Sequence, residues 1–189
     1  MGMVLRMGGG PGDGQSESSV NDPCGWLTGN QHLLPAASGD ALDLACGSGR
    51  HAIWLVEHGF RTVAVDRDAA AINALNQEAA SRGLLVRTQV VDLENGQSFL
   101  EPDSFDLIVV VHYLHRPLFP SLVSALRPGG VLVYETFTRA QAARGKPTNP
   151  AFLLESGELA DLVRPLTILV SREGDFEGRM VASVVATRQ

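Results

Sequence analysis
Three carboxylates recur at the ends of apolar runs. Asp43 lies within Ala41-Leu42-Asp43-Leu44-Ala45, Asp66 closes Thr62-Val63-Ala64-Val65, and Asp92 follows Leu85 to Val91. In an open parallel sheet, ligands bind beyond the carboxyl ends of the strands, near the point where strand order reverses. A carboxylate there can accept hydrogen bonds from a pair of hydroxyls, and Asp66 is placed to hold both hydroxyls of a ribose. Between the first two acids lies Cys46-Gly47-Ser48-Gly49, whose glycines let backbone amides approach a ligand without interference from a Cβ. Gly47 to Ala52 satisfies the G-x-G-x-x-G/A pattern of dinucleotide sites, with Asp66 nineteen residues beyond Gly47. Asp43, four residues before Gly47, would repel a pyrophosphate. It suits a nucleoside that carries an ammonium and a sulfonium, so charge complementarity favours S-adenosylmethionine over NAD.

These residues need strands that end at them and helices that start beside them. Ala41 to Ala45 reads as a short buried strand, and Arg50 to His58 as a helix with Ile53, Trp54 and Leu55 packed inward and Gly59 as its C-terminal cap. Thr62 to Val65 is a second strand. Asp68 caps a helix in which Ala71, Leu75 and Ala79 recur at four-residue spacing, with Gly83 as its stop. Leu85 to Val91 is a third strand. Phe105 to Val111 is a fourth, apolar without alternation, as strands covered on both faces are. A helix over Leu118 to Leu126 is halted by Arg127-Pro128-Gly129-Gly130, and Val131 to Tyr134 is a fifth strand. Such alternation implies a doubly wound α/β sheet. Arg139 to Pro150 is polar, holds two prolines and reads as a mobile loop. Glu158 to Val163 is a short helix, and Leu166 to Val170 and Met180 to Thr187 form a closing hairpin with an antiparallel last strand.

The composition bounds the class of molecule. The chain has 189 residues, 44% of them hydrophobic, and a net charge of -6. That supports a buried core and argues against a phosphate-backbone partner, so no nucleic acid is expected. Apolar runs such as Leu107 to Val111 fall far short of the roughly 20 residues that cross a membrane. No export signal is visible and the only cysteines are Cys24 and Cys46, which together point to the cytoplasm. Histidines and cysteines show no metal-ligand spacing, so no metal is expected. Six of the twenty glycines precede Gln15. Residues 1–20 therefore read as a flexible Gly/Ser-rich tail, and 21–189 as one domain, with Trp26 and Leu27 packed on its edge.

The motifs together resemble the class I S-adenosylmethionine-dependent methyltransferases, from about Ala41 to the C-terminus. Leu42 to Gly49 is similar to the family's first motif, D-x-G-C-G-x-G, except that Ala45 stands where glycine is usual. Val63 to Asp66 is similar to the second, whose acid holds the ribose, and Phe105 to His112 to the fourth. Leu126 to Leu132 resembles the turn into strand five. The resemblance implies a Rossmann-like seven-stranded sheet with an antiparallel seventh strand, and S-adenosyl-L-homocysteine as product. It places Asp92 at the adenine amino group, with the amide of Leu93 beside it. Ala45, Cys46, Gly47, Gly49 and Arg67 join the cofactor-binding set. Arg50, as in the small tellurite-resistance-type members, is expected at the cofactor carboxylate.

A sulfonium methyl is already electrophilic, so holding a nucleophile in line supplies much of the rate, with a base where the nucleophile carries a proton. His112, Tyr113 and His115 are the expected catalytic residues, and Arg116 and Glu135 are further candidates for the wall. His112 is favoured as base because an unperturbed imidazole titrates near 6.5. The expected acceptor is a small molecule. Asn149-Pro150 follows strand five rather than strand four, which argues against DNA base methylation. The competing readings are a catalytically silent S-adenosylmethionine sensor or partner-binding protein, and an NAD-dependent oxidoreductase.

Overall fold
The computed structural model describes residues 22–96 and 99–189. The tail expected over 1–20 lies outside them. Seven strands form one sheet in the order β3-β2-β1-β4-β5-β7-β6. They are β1 (Asp40–Leu44), β2 (Arg61–Asp66), β3 (Arg87–Val90), β4 (Phe105–Val111), β5 (Leu126–Phe137), β6 (Thr167–Phe176) and β7 (Arg179–Thr187). Strands β1 to β5 pair in parallel, whereas β7 runs antiparallel to both β5 and β6. The doubly wound sheet and its reversed last strand are as the sequence implied. Strand order reverses between β1 and β4, which puts the crevice for a ligand at their carboxyl ends.

Period-two alternation sorts the central strands onto two faces. Leu42, Leu44, Ile108, Val110, Leu132 and Tyr134 pack with Phe119 and Leu122 of α4 (Phe119–Ala125) and Leu159 of α5 (Glu158–Leu162). Ala41, Leu107, Val109, Val131 and Val133 pack with Trp26 and Leu27 of α1 (Gly25–Gly29) and Trp54 and Leu55 of α2 (Arg50–Glu57). A third cluster joins Ile53 of α2 to Ile72, Leu75 and Ala79 of α3 (Ala69–Ser81). Asp68 caps α3 as expected, its Oδ1 accepting the amides of Ala70 and Ala71 at 2.8 and 3.3 Å.

Three elements differ from the expectation. Strand β5 begins at Leu126 and runs through the Pro-Gly-Gly turn, with a register shift before Val131 pairs with Leu107. Strand β6 runs on to Phe176; its outer half, Ser171 to Asp175, consists of charged and small residues and so carries no apolar signature in the sequence. The segment after β5 is tied down rather than loose. Arg139–Ala143 is a 3-10 turn in which Gln141 is buried. Its Oε1 accepts the Met180 amide at 2.9 Å, and Arg144 and Asp175 form an ion pair at 2.6 Å.

Candidate functional site
The carboxyl ends of the parallel strands meet at one cleft of about 340 Å³, at the small end of the usual range for ligand sites. Each strand contributes residues at or just past its last paired position: Ala45 after β1, Asp66 and Arg67 at β2, Val91, Asp92, Leu93 and Glu94 after β3, His112, Tyr113 and Leu114 after β4, and Phe137 at β5. Pro147 and Phe152 close it from the segment after β5. The sequence did not flag these two or Phe137. Their signal was at most position: Phe137 ends a strand, Pro147 lies in a segment read as loose, and Phe152 lies just beyond that segment.

The glycine turn is held by backbone bonds and by one side chain. The Cys46 amide donates to the Val65 carbonyl at 3.0 Å, and the Gly49 amide to the Cys46 carbonyl at 2.9 Å. Asp66 anchors the turn: its Oδ2 accepts the Gly47 amide at 2.8 Å, while its Oδ1 accepts the Asp68 amide at 2.9 Å. Each carboxylate oxygen keeps further acceptor capacity, so these bonds orient Asp66 without exhausting it. A Cβ added at Gly47 would meet nothing within 4 Å, so this stretch of backbone faces open space. Asp92 is oriented in the same way, its Oδ1 accepting the Glu94 amide at 3.0 Å.

Ala45 holds a left-handed φ of 56°. For an alanine that costs roughly 1–2 kcal/mol, which gives a physical reason for glycine being usual at this place. Ala45→Gly removes that strain and adds unfolded-state entropy worth about 0.4–1 kcal/mol. The expected net gain is between zero and about 1.6 kcal/mol, seen as a thermal midpoint up to a few degrees higher; a lower midpoint would refute the strain.

Asp43 does not reach the cleft. It is 1% exposed and sits behind the turn, where its Oδ2 accepts the amide of Ala52 in the first turn of α2 at 2.9 Å. Three acids were expected around the ligand, and two are there. Burial pushes the Asp43 carboxyl up to about 7, against the lowering effect of the Ala52 amide and of Arg50. His51 stands 3.9 Å from it, too far for a hydrogen bond. The His51 Nε2 accepts the Cys24 amide at 3.2 Å, and burial lowers this imidazole to about 3, so it is neutral.

A buried acid with a raised pKa favours the fold in its protonated form. That stability is complete below the unfolded value near 3.9 and is lost as pH rises through about 7. Asp43→Asn keeps an acceptor for Ala52 and removes the charge. Its thermal midpoint relative to the parent should therefore climb between pH 4 and pH 7 and level off above, by an amount bounded at about 4 kcal/mol. A pH-independent difference would show that Asp43 does not titrate in this window.

Other expected residues also stand elsewhere. Arg50 lines a separate concavity with Ser48, Trp54, Glu57 and Arg82, and not the cleft. His115 faces another hollow with Phe99, Leu100 and Leu118, because the chain turns into a 3-10 turn at Arg116–Leu118. Cys46 is buried with its thiol pushed up by burial and by Asp43 and Asp66, an inert packing residue. Gly49 packs under Leu75. Arg116 is a strut: it binds Glu158 at 2.5 and 2.8 Å and the carbonyls of Ala151 and Leu153 at 3.0 and 2.9 Å. Glu135 is buried, accepting from Ser183 Oγ at 2.7 Å and from Arg172 at 2.9 Å.

His112 and Tyr113 do face the cleft. His112 takes a φ of 60° just past β4, and its amide donates to the Glu135 carbonyl at 2.8 Å. Strained backbone of this kind persists where the surroundings enforce it. Its ring stacks on Phe137 with centroids 4.6 Å apart, and burial, reinforced by Arg179 and Arg50, lowers it to about 4. The imidazole is therefore neutral at neutral pH, though a weaker base than an unperturbed histidine. The Tyr113 hydroxyl donates to Glu94 at 3.4 Å, and burial followed by Glu94 raises its pKa, so it is un-ionised. Among the described residues no helix is long and apolar enough to cross a membrane.

Residues 41–130 match the model of a family described as a methyltransferase domain. A curated relative, the ribosomal RNA small subunit methyltransferase C of Alcanivorax borkumensis, is 30% identical over 100 residues, 50% of this chain; the match spans only 31% of that relative's length. Two solved structures share the fold. The PH0226 protein of Pyrococcus horikoshii superimposes with a TM-score of 0.71 at 19% identity, over 86% of this chain and 88% of its own. An S-adenosylmethionine-dependent methyltransferase of Mesorhizobium loti does so with a TM-score of 0.70 at 20% identity, over 89% of this chain and 100% of its own.

Proposed function
We propose that the chain is a class I S-adenosylmethionine-dependent methyltransferase, a reading supported by the match of residues 41–130 to a methyltransferase-domain family, and that it transfers the methyl group of S-adenosylmethionine to a small-molecule acceptor in the cleft at the strand ends. The observation that carries this reading is the meeting of Asp66, Asp92 and Ala45, the residue that leads into the glycine turn, at one cleft on the tips of adjacent strands. The donor set fits the cofactor. Asp66, held by two amides, would accept the ribose hydroxyls, with Arg67 next to it. Asp92 and the Leu93 amide would meet the adenine edge, with Val91 and Leu93 as apolar walls. The open space over Gly47 would take the chain that leads toward the sulfonium. Asp43 would act indirectly, by fixing the start of α2 behind the turn.

When bound, S-adenosylmethionine supplies an electrophilic methyl group. The protein's share is then to orient the acceptor, exclude water and receive any proton released. His112 and Tyr113 are the groups on the acceptor side. A neutral His112 accepts a proton without first losing one, which its lowered pKa ensures down to about pH 4.

Calorimetry with S-adenosylhomocysteine, S-adenosylmethionine and NAD tests the reading. The two sulfur nucleosides should bind and NAD should not compete. Release of S-adenosylhomocysteine with an acceptor present supports an enzyme, whereas tight binding without turnover across a broad panel would point to a sensor.

A further inference from the structure
The wall of the cleft built from the ends of β4 and β5 and the segment after β5 has a chemistry of its own, and what it says of the acceptor rests on the methyl-transfer reading. Its walls are His112, Tyr113, Leu114, Phe137, Pro147 and Phe152. Four carry aromatic rings, and none of the six carries a formal charge at neutral pH. The His112 ring lies nearly parallel to Phe137, 21° apart, so an aromatic surface is already assembled there. The Nε2 of His112 is buried and has no hydrogen-bond partner among the described residues, and a small turn of the ring would present it to a ligand in the cleft. A buried polar atom without a partner is unusual and unfavourable, and a ligand that brings a polar hydrogen relieves it.

We propose that the acceptor is a small uncharged hydroxyaromatic, a single ring stacked among these side chains with its hydroxyl donating to Nε2 of His112. An aliphatic acceptor would forgo the stacking that rings gain from rings. A carboxylate would shed its hydration without meeting a lysine or arginine among these six residues, the cleft's arginine, Arg67, standing beside Asp66 at the end of β2. An ammonium would face the field of Arg179 and Arg50, which already disfavours a positive charge at His112. In the transfer, the phenolic oxygen forms its bond to the methyl carbon as the carbon–sulfur bond breaks, and that electron pair stays on sulfur. The hydroxyl proton passes to Nε2 and then to water. One sulfonium and one phenol thus become one thioether, one aryl methyl ether and one proton. A neutral imidazole suffices, because the hydroxyl grows far more acidic as its oxygen is alkylated.

The test uses the full chain saturated with S-adenosylhomocysteine and four probes of one shape: 4-methylphenol, toluene, benzoate and benzylamine. Titrations followed by NMR should place 4-methylphenol about tenfold tighter than toluene, with both charged probes weaker than toluene. The imidazole nitrogen signals of His112 should move with 4-methylphenol and stay still with toluene, a readout in the parent protein that needs no variant. His112→Phe keeps a ring against Phe137 and should erase the difference between 4-methylphenol and toluene while changing S-adenosylhomocysteine affinity less than about twofold. Tightest binding by benzoate or benzylamine, or a 4-methylphenol preference that survives in His112→Phe, overturns the acceptor class. Failure of S-adenosylhomocysteine itself to bind overturns the methyl-transfer reading instead, so the two failures are distinct.

Discussion

Asp66→Ala should weaken S-adenosylhomocysteine binding by about 2–4 kcal/mol, roughly 30-fold to 1000-fold in Kd. Two effects add. The first is direct: a carboxylate that accepts from both ribose hydroxyls makes charge-assisted bonds, the stronger kind. The second comes from the geometry of the unliganded turn. The same carboxylate accepts the amides of Gly47 and Asp68, at 2.8 and 2.9 Å, so its loss frees the turn that the ligand must approach. The ligand would then have to order that turn as it binds. Asp66→Asn impairs both, since it removes the charge and its single carbonyl oxygen can serve only one of the amides while its NH2 opposes the other. It should therefore also bind poorly despite its near-identical shape. The unliganded Asp66→Ala protein should stay folded, with a thermal midpoint only a few degrees lower, because the freed Asp68 amide is exposed and that of Gly47 is only part-buried. Calorimetry beside a thermal scan reads both quantities. Unchanged affinity would dismantle the nucleoside half of the site, and a collapse of the fold would move Asp66 from binding to architecture.

The parts legible in the sequence were those written in local chemistry. A continuous apolar run such as Phe105 to Val111 allows few placements other than a strand covered on both faces, and β4 spans those residues. Asp66 and Asp92 were legible because a polar residue directly after such a run must emerge at the strand tip. Asp43 obeys a different rule. It lies inside β1 with its side chain on the face where α2 begins, and period-two alternation turns it from the cleft toward the Ala52 amide. The charge argument that favoured a cationic ligand over NAD counted it as a cleft acid, and that part of the argument does not survive. His115 failed for a related reason: proximity to a strand end in sequence ceases to mean proximity in space once a 3-10 turn intervenes. Glu135 and Arg116 could not be sorted without their partners, Arg172 and Glu158, which are 37 and 42 residues distant. Phe137, Pro147 and Phe152 are apolar residues whose role depends on where the chain returns to the sheet, and no local pattern encodes that.

Gly49→Ala should destabilise the fold by about 3 kcal/mol, whereas Gly47→Ala should chiefly harm binding, although the two glycines are one residue apart in the same motif. A Cβ at position 49 would lie 2.3 Å from Cδ1 and 2.6 Å from Cδ2 of Leu75. Leu75 is fully buried in α3, so its methyl groups can yield only against packed neighbours. Overpacking of this kind costs about 1–3 kcal/mol, and the left-handed φ of 81° at position 49 adds about 1–2 kcal/mol for any residue with a Cβ. For a chain of this size the sum lowers the thermal midpoint by roughly 6–12 °C. Leu75→Ala opens the space that the new methyl needs, so the double variant should cost less than the two single changes together, by about 1–2 kcal/mol of coupling. At position 47 a methyl enters empty space, so only the φ of 54° opposes it and the midpoint should fall by a few degrees at most. That same empty space is where the ligand's chain is proposed to lie, and S-adenosylhomocysteine affinity should drop at least tenfold. Equal losses of stability at both positions, or full additivity with Leu75→Ala, would mean that the second glycine serves the ligand and not the packing of α3 across the start of α2.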